Sequence, residues 1–539
     1  MAAQNENYVP VAEKVVFPSV TRTWDLLSLI YEDQFHDPAK LDEEIENILS
    51  LVPELVDIEI IGESFEGRNI TSLRITNELN TVQKAKTLIV AQHHGREQIT
   101  VELALRFILW LLNGYGTDTV LTEYVDTQEI YVIPTLNPDA LEIVINEGNH
   151  WLRKNLRPYD NDGDGLFGED DAEDTDGDGW ISNFLVYEKA YPTEVPHIYD
   201  YDWEYWEGID NDNDTLYNED EVGLVDLNRN YPVLWDIGNT DVTTQEYRGS
   251  APFSEPETQA FRDFAQQHKF AMAYSLHSGT NATFFVQDTS FDWVEPLLYY
   301  QIASDYRDIL PSGFNQGIGY PASEYRQIES ATAGGWGEWM YYEQGCTVPI
   351  TFEVYTNESV NVEEAYVIIE NNNTHMIREW EGIYGYFNPT PEYIQTLWLE
   401  LAPAFEYFLE MTPRVDIEIT GISGGVNTGD SVTLTASMQC LSPRLGSKES
   451  MKVLDNNSVV LDTAIAIGAD QTLTDYPSFI LSDDLGGSQY TILIGNNYTG
   501  YTQFQLTAGT TIGLDLVLIG ISVGVVLVAV VVFVYMKKR

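Results

Sequence analysis

Cysteine is nearly absent. The 539 residues include two, Cys346 and Cys440, in stretches of different character, so a disulfide framework is not what stabilises the chain. Basic residues are also scarce: Lys and Arg number 27 against 85 Asp and Glu, a formal charge of −58. That balance excludes nucleic acid as a partner and favours cations or a salty exterior. Residues 1–22 are polar, lack the basic start and apolar stretch of a signal peptide, and are too short for a folded inhibitory pro-domain. Apolar material is not lacking. With 44% hydrophobic and 12% aromatic residues, the chain can build a substantial core, and its acid belongs mainly on surfaces and loops. The length exceeds one usual core, so a large domain and at least one smaller one are expected.

From Thr23 the patterns alternate. DLLSLIYEDQF and LDEEIENILSLV read as helices, VDIEIIG and ITSLRI as strands around the turn-rich ESFEGRN. KTLIV, QEIYVIPTLNP, FAMAYSLHS and TVPITFEVY follow as strands, with helical VELALRFILWLL and VEPLLYYQIASDYRDIL between them. EYIQTLWLELAPAFEYFLEM closes the region near Met411. This order predicts an α/β domain over residues 23–411 with a mixed, largely buried sheet flanked by helices.

The chain is organised around Lys86 to Thr100, KTLIVAQHHGREQIT. A strand runs into His93 and His94, Gly95 breaks the pattern, and Glu97 opens an amphipathic helix. Imidazole and carboxylate at this H-x-x-E spacing, where a strand gives way to a helix, can turn toward one metal ion. Alone, the pattern also fits a polar turn between buried elements. In FAMAYSLHS a strand ends at His277, and Glu353 is a carboxylate in the otherwise apolar VPITFEV, where it needs a task or a partner.

The colinear series GESFEGR, HHGRE, PTLNPDA, LRK, DLNRNYP, SLHS, GGWGEW and TFEV resembles the zinc carboxypeptidases of the carboxypeptidase A type over residues 24–411. Each motif is weak singly, and the order makes the set specific. The resemblance implies one catalytic Zn²⁺ on His94, Glu97 and His277, two His and one Glu being the ligand type of carboxypeptidase A. It implies Glu353 as general base for zinc-activated water and Arg153 as the group that steadies the developing oxyanion. It also implies Asn228 and Arg229 as the grip on a substrate's terminal carboxylate, for which a planar guanidinium is suited. His93 is left as a supporting or structural residue. The expected activity is hydrolysis of the C-terminal peptide bond of peptides or proteins. Departures are three: Ser330 falls where the family's closing tyrosine belongs, making Tyr320 in the displaced YPAS the candidate; NPDA replaces the commoner NPDG, which affects only a turn; and Gly337 occupies the position that sets side-chain preference. That preference is therefore undetermined.

An acidic insertion over about 158–222 separates Arg153 from Asn228. Asp160, Asp162, Asp164 and Asp171 have the alternating spacing of a calcium loop; Asp174, Asp176 and Asp178 repeat its first half, and Asp210, Asp212 and Asp214 begin a third. Structural Ca²⁺ in bare loops is the expectation, with solvated acidic turns the alternative. Residues 412–508 show short β-type runs at regular spacing and suggest an immunoglobulin-like sandwich without a catalytic constellation. Residues 516–535 are apolar and long enough to cross a bilayer, and Lys537, Lys538 and Arg539 in the tail 536–539 place that end in the cytoplasm. A single-pass membrane protein with an extracytoplasmic catalytic domain is expected. The missing signal peptide leaves open a misplaced start, unusual export or a cytoplasm-facing tail anchor. Two other functions stand beside the peptidase: a non-catalytic, calcium-dependent surface binding or adhesion protein on the same scaffold, and an amidase.

Overall fold

The computed structural model describes residues 19–80, 84–160, 222–286, 332–357 and 383–412, shorter pieces between 167 and 218 and between 302 and 310, and backbone strands within 366–380 and 415–507. In chain order the strands of the first region are β1 (Val56–Glu63), β2 (Asn69–Ile75), β3 (Ala85–Ala91), β4 (Gln128–Ile133), β5 (Asn183–Tyr187), β6 (Trp203–Trp206), β7 (Met272–His277), β8 (Thr280–Phe285), β9 (Val348–Tyr355), β10 (Tyr366–Asn371) and β11 (His375–Trp380). Seven of them form the central sheet, in the order β1-β2-β4-β3-β7-β9-β8. Its middle, β4-β3-β7-β9, is parallel and its flanks are antiparallel.

Strand periodicity explains why the sheet is covered on both faces. Ile89 and Ala91 of β3 pack with the helices Pro38–Leu51, Ile99–Gly114 and Ile394–Met411. Leu88 and Val90, pointing the other way, pack with Pro256–His268 and Trp336–Tyr342. Such a strand must be apolar on both faces, which is why KTLIV is a continuous run. Parallel neighbours also align their C-terminal ends, so chemistry placed at those ends collects in one place.

DLLSLIYEDQF is not helical. Residues 21–29 have no regular secondary structure, and 30–34 form a turn. The segment is an extended strap over the C-terminal end of the helix Ile99–Gly114. Trp24 and Leu29 anchor it in the core, and the Asn113 Oδ1 accepts from the Leu27 N–H at 2.7 Å. The strap begins inside the polar N-terminal segment: Val20 N–H donates to the Tyr115 hydroxyl, and the Arg22 guanidinium donates to the carbonyls of Asn113 and Tyr115. A cation at those carbonyls complements the negative end of the helix dipole.

The acidic insertion contains secondary structure as well as loops. β5 and β6 join the β10–β11 hairpin in a second sheet, ordered β10-β11-β5-β6. Its two ends are tied at the base, where Asn155 N–H donates to the Val225 carbonyl (3.0 Å) and Leu224 N–H to the Asn155 carbonyl (3.2 Å). Beyond Val415 the short β-type runs form two four-stranded antiparallel sheets, including two strands not read from sequence, Thr472–Leu473 and Gly500–Thr507. Among the described residues no single helix is long and apolar enough to cross a membrane. The apolar stretch 516–535 and the tail 536–539 lie outside the described residues.

Candidate metal centre and substrate cleft

The site begins with register. In the parallel sheet Ala91 of β3 pairs with Leu276 of β7, and His277 of β7 pairs with Glu353 of β9. The residues just past β3 therefore arrive beside His277 and Glu353. Gln92 makes the turn, with φ +52°; its side chain donates to the Gly95 carbonyl and accepts from the Thr135 hydroxyl. Gly95 is required by close approach, since a Cβ there would lie 2.7 Å from the Ala140 Cβ and 2.9 Å from the Leu152 carbonyl oxygen. That contact docks the segment carrying Arg153, through Gly95 N–H to the Arg153 carbonyl and Arg96 N–H to the Leu152 carbonyl.

His94, Glu97 and His277 converge and are buried. His94 Nδ1 lies 2.7 Å from Glu97 Oε1, His277 Nδ1 lies 2.9 Å from Glu97 Oε2, and the two Nδ1 atoms are 3.2 Å apart. A tetrahedral zinc with Zn–N bonds of about 2.0–2.1 Å holds two nitrogens about 3.3 Å apart. Two imidazole nitrogens turned on each other beside a carboxylate thus fit a cation in number, type and spacing. Burial works to raise the Glu97 carboxyl, but the two imidazoles beside it hold it well below its usual range. Burial lowers His277.

Glu353 faces this group from β9. Burial, reinforced by repulsion from Glu97, pushes its carboxyl well above the usual range, and its Oε2 is buried without a hydrogen-bond partner among the described residues. A carboxylate so placed is basic enough to take a proton.

Asp226, which the sequence analysis passed over, ties the cleft together. One carboxylate oxygen lies 3.1 Å from His94 Nε2 and accepts from Asn228 N–H at 2.8 Å. The other accepts from Arg153 Nε (3.0 Å) and Nη2 (2.9 Å). Burial would raise its carboxyl, but Arg153, His94 and Arg229 hold it well below the usual range. Arg153 reaches to 3.9 Å from Glu97, which puts its guanidinium on the rim of the metal centre. Arg229 leaves a short 3₁₀ turn, Leu227–Arg229; it donates to the Asn228 carbonyl (3.0 Å) and to the Glu246 carboxylate (2.9 Å). Asn228 Oδ1 accepts from Trp336 N–H at 3.0 Å. Gly334, at φ +69°, lets the two segments meet, because a Cβ there would fall 2.0 Å from the Arg229 carbonyl oxygen.

Arg96 is a third arginine near the centre that sequence reasoning missed, although it sits inside HHGRE. It lies over the Phe387 ring at 4.4 Å, and burial, with repulsion from Arg153, lowers it to about 10. Tyr320 lies outside the described residues, and Gly337 is buried; among the described residues Val286 comes within 4 Å of a Cβ built on it.

Among the proposed calcium ligands, Asp174 and Asp176 gather with Glu207, a residue from beyond the loop. One Glu207 oxygen already accepts from Thr175 N–H, the Thr175 hydroxyl and Asp176 N–H, and the other from Ser182 N–H, so the carboxylate is satisfied without a cation. Within the 160–171 stretch Asp170 turns inward, accepting from Asn211 and Asn218 N–H. Asp160, Asp171 and Asp210 join no such grouping among the described residues; Asp162, Asp164, Asp178, Asp212 and Asp214 lie outside them.

An α/β scaffold with a buried two-histidine, one-glutamate centre defines the class. The zinc carboxypeptidase family model matches residues 41–404, and the chain belongs to that family. A zinc carboxypeptidase of Saccharothrix mutabilis subsp. capreolus is 32% identical over 127 residues, 23% of this chain and 29% of that one. The inactive metallocarboxypeptidase ECM14 of Saccharomyces cerevisiae is 35% identical over 109 residues, 20% of this chain and 25% of that one. The chain thus spans less than a third of the length of these curated relatives. A solved structure of thrombin activatable fibrinolysis inhibitor is 19% identical with a TM-score of 0.47, covering 71% of this chain and 76% of that one. Because one relative is named inactive, membership alone does not decide activity; the residues at the centre must.

Proposed function

We propose that the chain is a zinc metallocarboxypeptidase that hydrolyses the C-terminal peptide bond of peptides or proteins. The observation that carries this reading is the convergence of His94, Glu97, His277 and Glu353 at the ends of three adjacent parallel strands. His94 and His277 through Nδ1, and Glu97 through its carboxylate, would hold the Zn²⁺, which supplies Lewis-acid activation of water and of the scissile carbonyl.

Glu353 accepts the proton from the attacking water at its unpartnered Oε2 and returns it to the leaving amine. Arg153, held in orientation by Asp226, donates to the carbonyl oxygen as negative charge develops there, and needs no reorganisation to do so. Asn228 and Arg229 bind the free carboxylate of the substrate, which selects chain ends over internal bonds. Tyr320 closing over the substrate belongs to the same reading and rests on the displaced YPAS motif alone. Calcium in the acidic insertion and a membrane anchor over 516–535 with an extracytoplasmic catalytic domain complete it. Their support is acidic spacing in the first case, and hydropathy with the basic tail in the second.

The test is release of amino acids from a mixed peptide pool by the full chain with Zn²⁺, beside Glu353→Gln. Single C-terminal residues released by the wild type alone are the expected result. A folded, zinc-loaded wild type that releases nothing would transfer the reading to the binding scaffold or to an amidase.

A further inference from the structure

The sequence presents a histidine doublet, and only His94 faces the metal position. His93 is fully buried, and its ring stacks on that of His277 with centroids 5.4 Å apart and planes 19° apart. Between them stands Ser275, two residues before His277 on β7 and therefore on the same face of the strand. Its hydroxyl lies 3.0 Å from His277 Nε2 and 2.9 Å from His93 Nδ1. His93 Nε2 in turn lies 3.2 Å from the Tyr231 hydroxyl. All four side chains are buried, so water does not share the chain.

Donor counting fixes the first link of the chain when Nδ1 of His277 is a metal ligand. A ligating Nδ1 carries no proton, so the ring proton sits on Nε2 and is donated to the Ser275 oxygen. The serine can then donate its own proton to His93 Nδ1 in one continuous relay, or accept a second bond from it; in both cases His93 holds the hydroxyl in place for His277. In the relay direction the His93 proton sits on Nε2 and is donated to the Tyr231 oxygen. The opposite direction puts a proton on His277 Nδ1, where it would meet the cation. The two metal histidines are thus backed differently. His94 leans on the charged Asp226, and His277 on a neutral relay.

We propose that Ser275 and His93 are positioning residues that lock His277 in its Nε2–H tautomer and ring orientation, and so set the zinc affinity of the centre. This rests on the zinc-site reading above. Groups in this position typically change metal affinity by about 10–100-fold when removed, and a loss of that size is expected for Ser275→Ala. His93→Phe, which retains a ring to stack but offers no acceptor, should behave alike. Ser275→Thr retains the hydroxyl, and His93→Asn retains an acceptor near the Nδ1 position; both should stay close to wild type.

The measurement is competition for Zn²⁺ between the metal-free full chain and a chromophoric chelator, with the visible spectrum of the Co²⁺-loaded proteins as a second readout. Circular dichroism establishes that each variant is folded. A merely structural role would lower unfolding stability but leave zinc affinity and the Co²⁺ spectrum unchanged. The Phe and Asn variants at His93 decide the matter if Ser275→Ala fails to fold. Wild type that binds zinc alongside Ala and Phe variants of equal affinity overturns the proposal alone. Wild type that takes up no zinc overturns the site reading and the proposal together.

Discussion

Replacing Asp226 with Asn probes the cleft most directly, because the side chain keeps its shape and loses its charge. Its two oxygens face four donors: His94 Nε2 and Asn228 N–H on one side, Arg153 Nε and Nη2 on the other. An amide has one acceptor oxygen, so either orientation turns an NH₂ group toward two donors. Leaving buried donors unsatisfied costs about 1–3 kcal/mol each, and removing one partner of a buried ion pair about 3–5 kcal/mol. These describe the same loss from two sides, so about 3–5 kcal/mol is expected in all, not their sum. Zinc affinity should fall by about 10–100-fold as His94 loses its support. The assay is urea unfolding of the metal-free protein followed by tryptophan fluorescence, with chelator competition for the metal. A stability loss below about 1 kcal/mol, the net worth of one ordinary hydrogen bond, would refute the view that Asp226 holds Arg153 and His94 in place.

Gly334→Ala should raise KM for peptides more than it lowers kcat, since its Cβ would displace the Arg229 backbone and the positive φ adds strain of about 1–3 kcal/mol; steady-state kinetics would show it. Glu257 is a carboxyl that burial pushes up to about 7. Between its usual value and that one, the native state keeps a proton the unfolded chain has lost, so this group's contribution falls as pH rises through the window. Urea unfolding at pH 5 and pH 8 should show wild type losing more stability than Glu257→Gln, by up to about 1.4 kcal/mol per unit of pH in that window. Trp24→Ala should cost about 3–5 kcal/mol, because the indole is a buried anchor that donates to the Leu112 carbonyl at 3.2 Å; an unchanged urea midpoint would mean that the strap is not part of the folded domain.

What was legible in the sequence was whatever a single element states by itself. β3 announces itself by a run apolar on both faces, and the H-x-x-E pair follows at its end. Glu353 stands out because a carboxylate in VPITFEV has no cheap place to go. The strap failed for the opposite reason. DLLSLIYEDQF has helical spacing, yet Leu26 is 78% exposed and Ile30 47%. The strap is instead held by Trp24 and Leu29 and by hydrogen bonds to Asn113 and Tyr115, at the end of a helix far along the chain. Tertiary partners overrode local propensity, as they do where the backbone can be satisfied elsewhere. Asp170 and Glu207 belong to the same case: their donors lie tens of residues away, so alternating acids read as metal ligands were mixed with acids that bind backbone. Ser275 was within reach, since a polar residue two before a metal-facing histidine must share its strand face.

Register is the step from these separate signals to a single centre. No spacing in the chain relates His94 to His277 or Glu353; the relation is the sheet order β3-β7-β9, whose parallel pairing sets His277 opposite Glu353. Charge completes it. In a chain of formal charge −58, Arg96, Arg153 and Arg229 are gathered about one cleft, with Asp226 close to Arg153 and to Arg229. At a physiological Debye length of about 8 Å the acidic surface beyond the cleft is largely screened. Inside the cleft Arg153 and Arg229 stand beside the carboxylates of Glu97, Asp226 and Glu246, so their charge is partly offset there. Clustered in this way, the arginines of HHGRE, LRK and DLNRN locally offset the charge of a strongly acidic protein, although they lie far apart in a base-poor sequence.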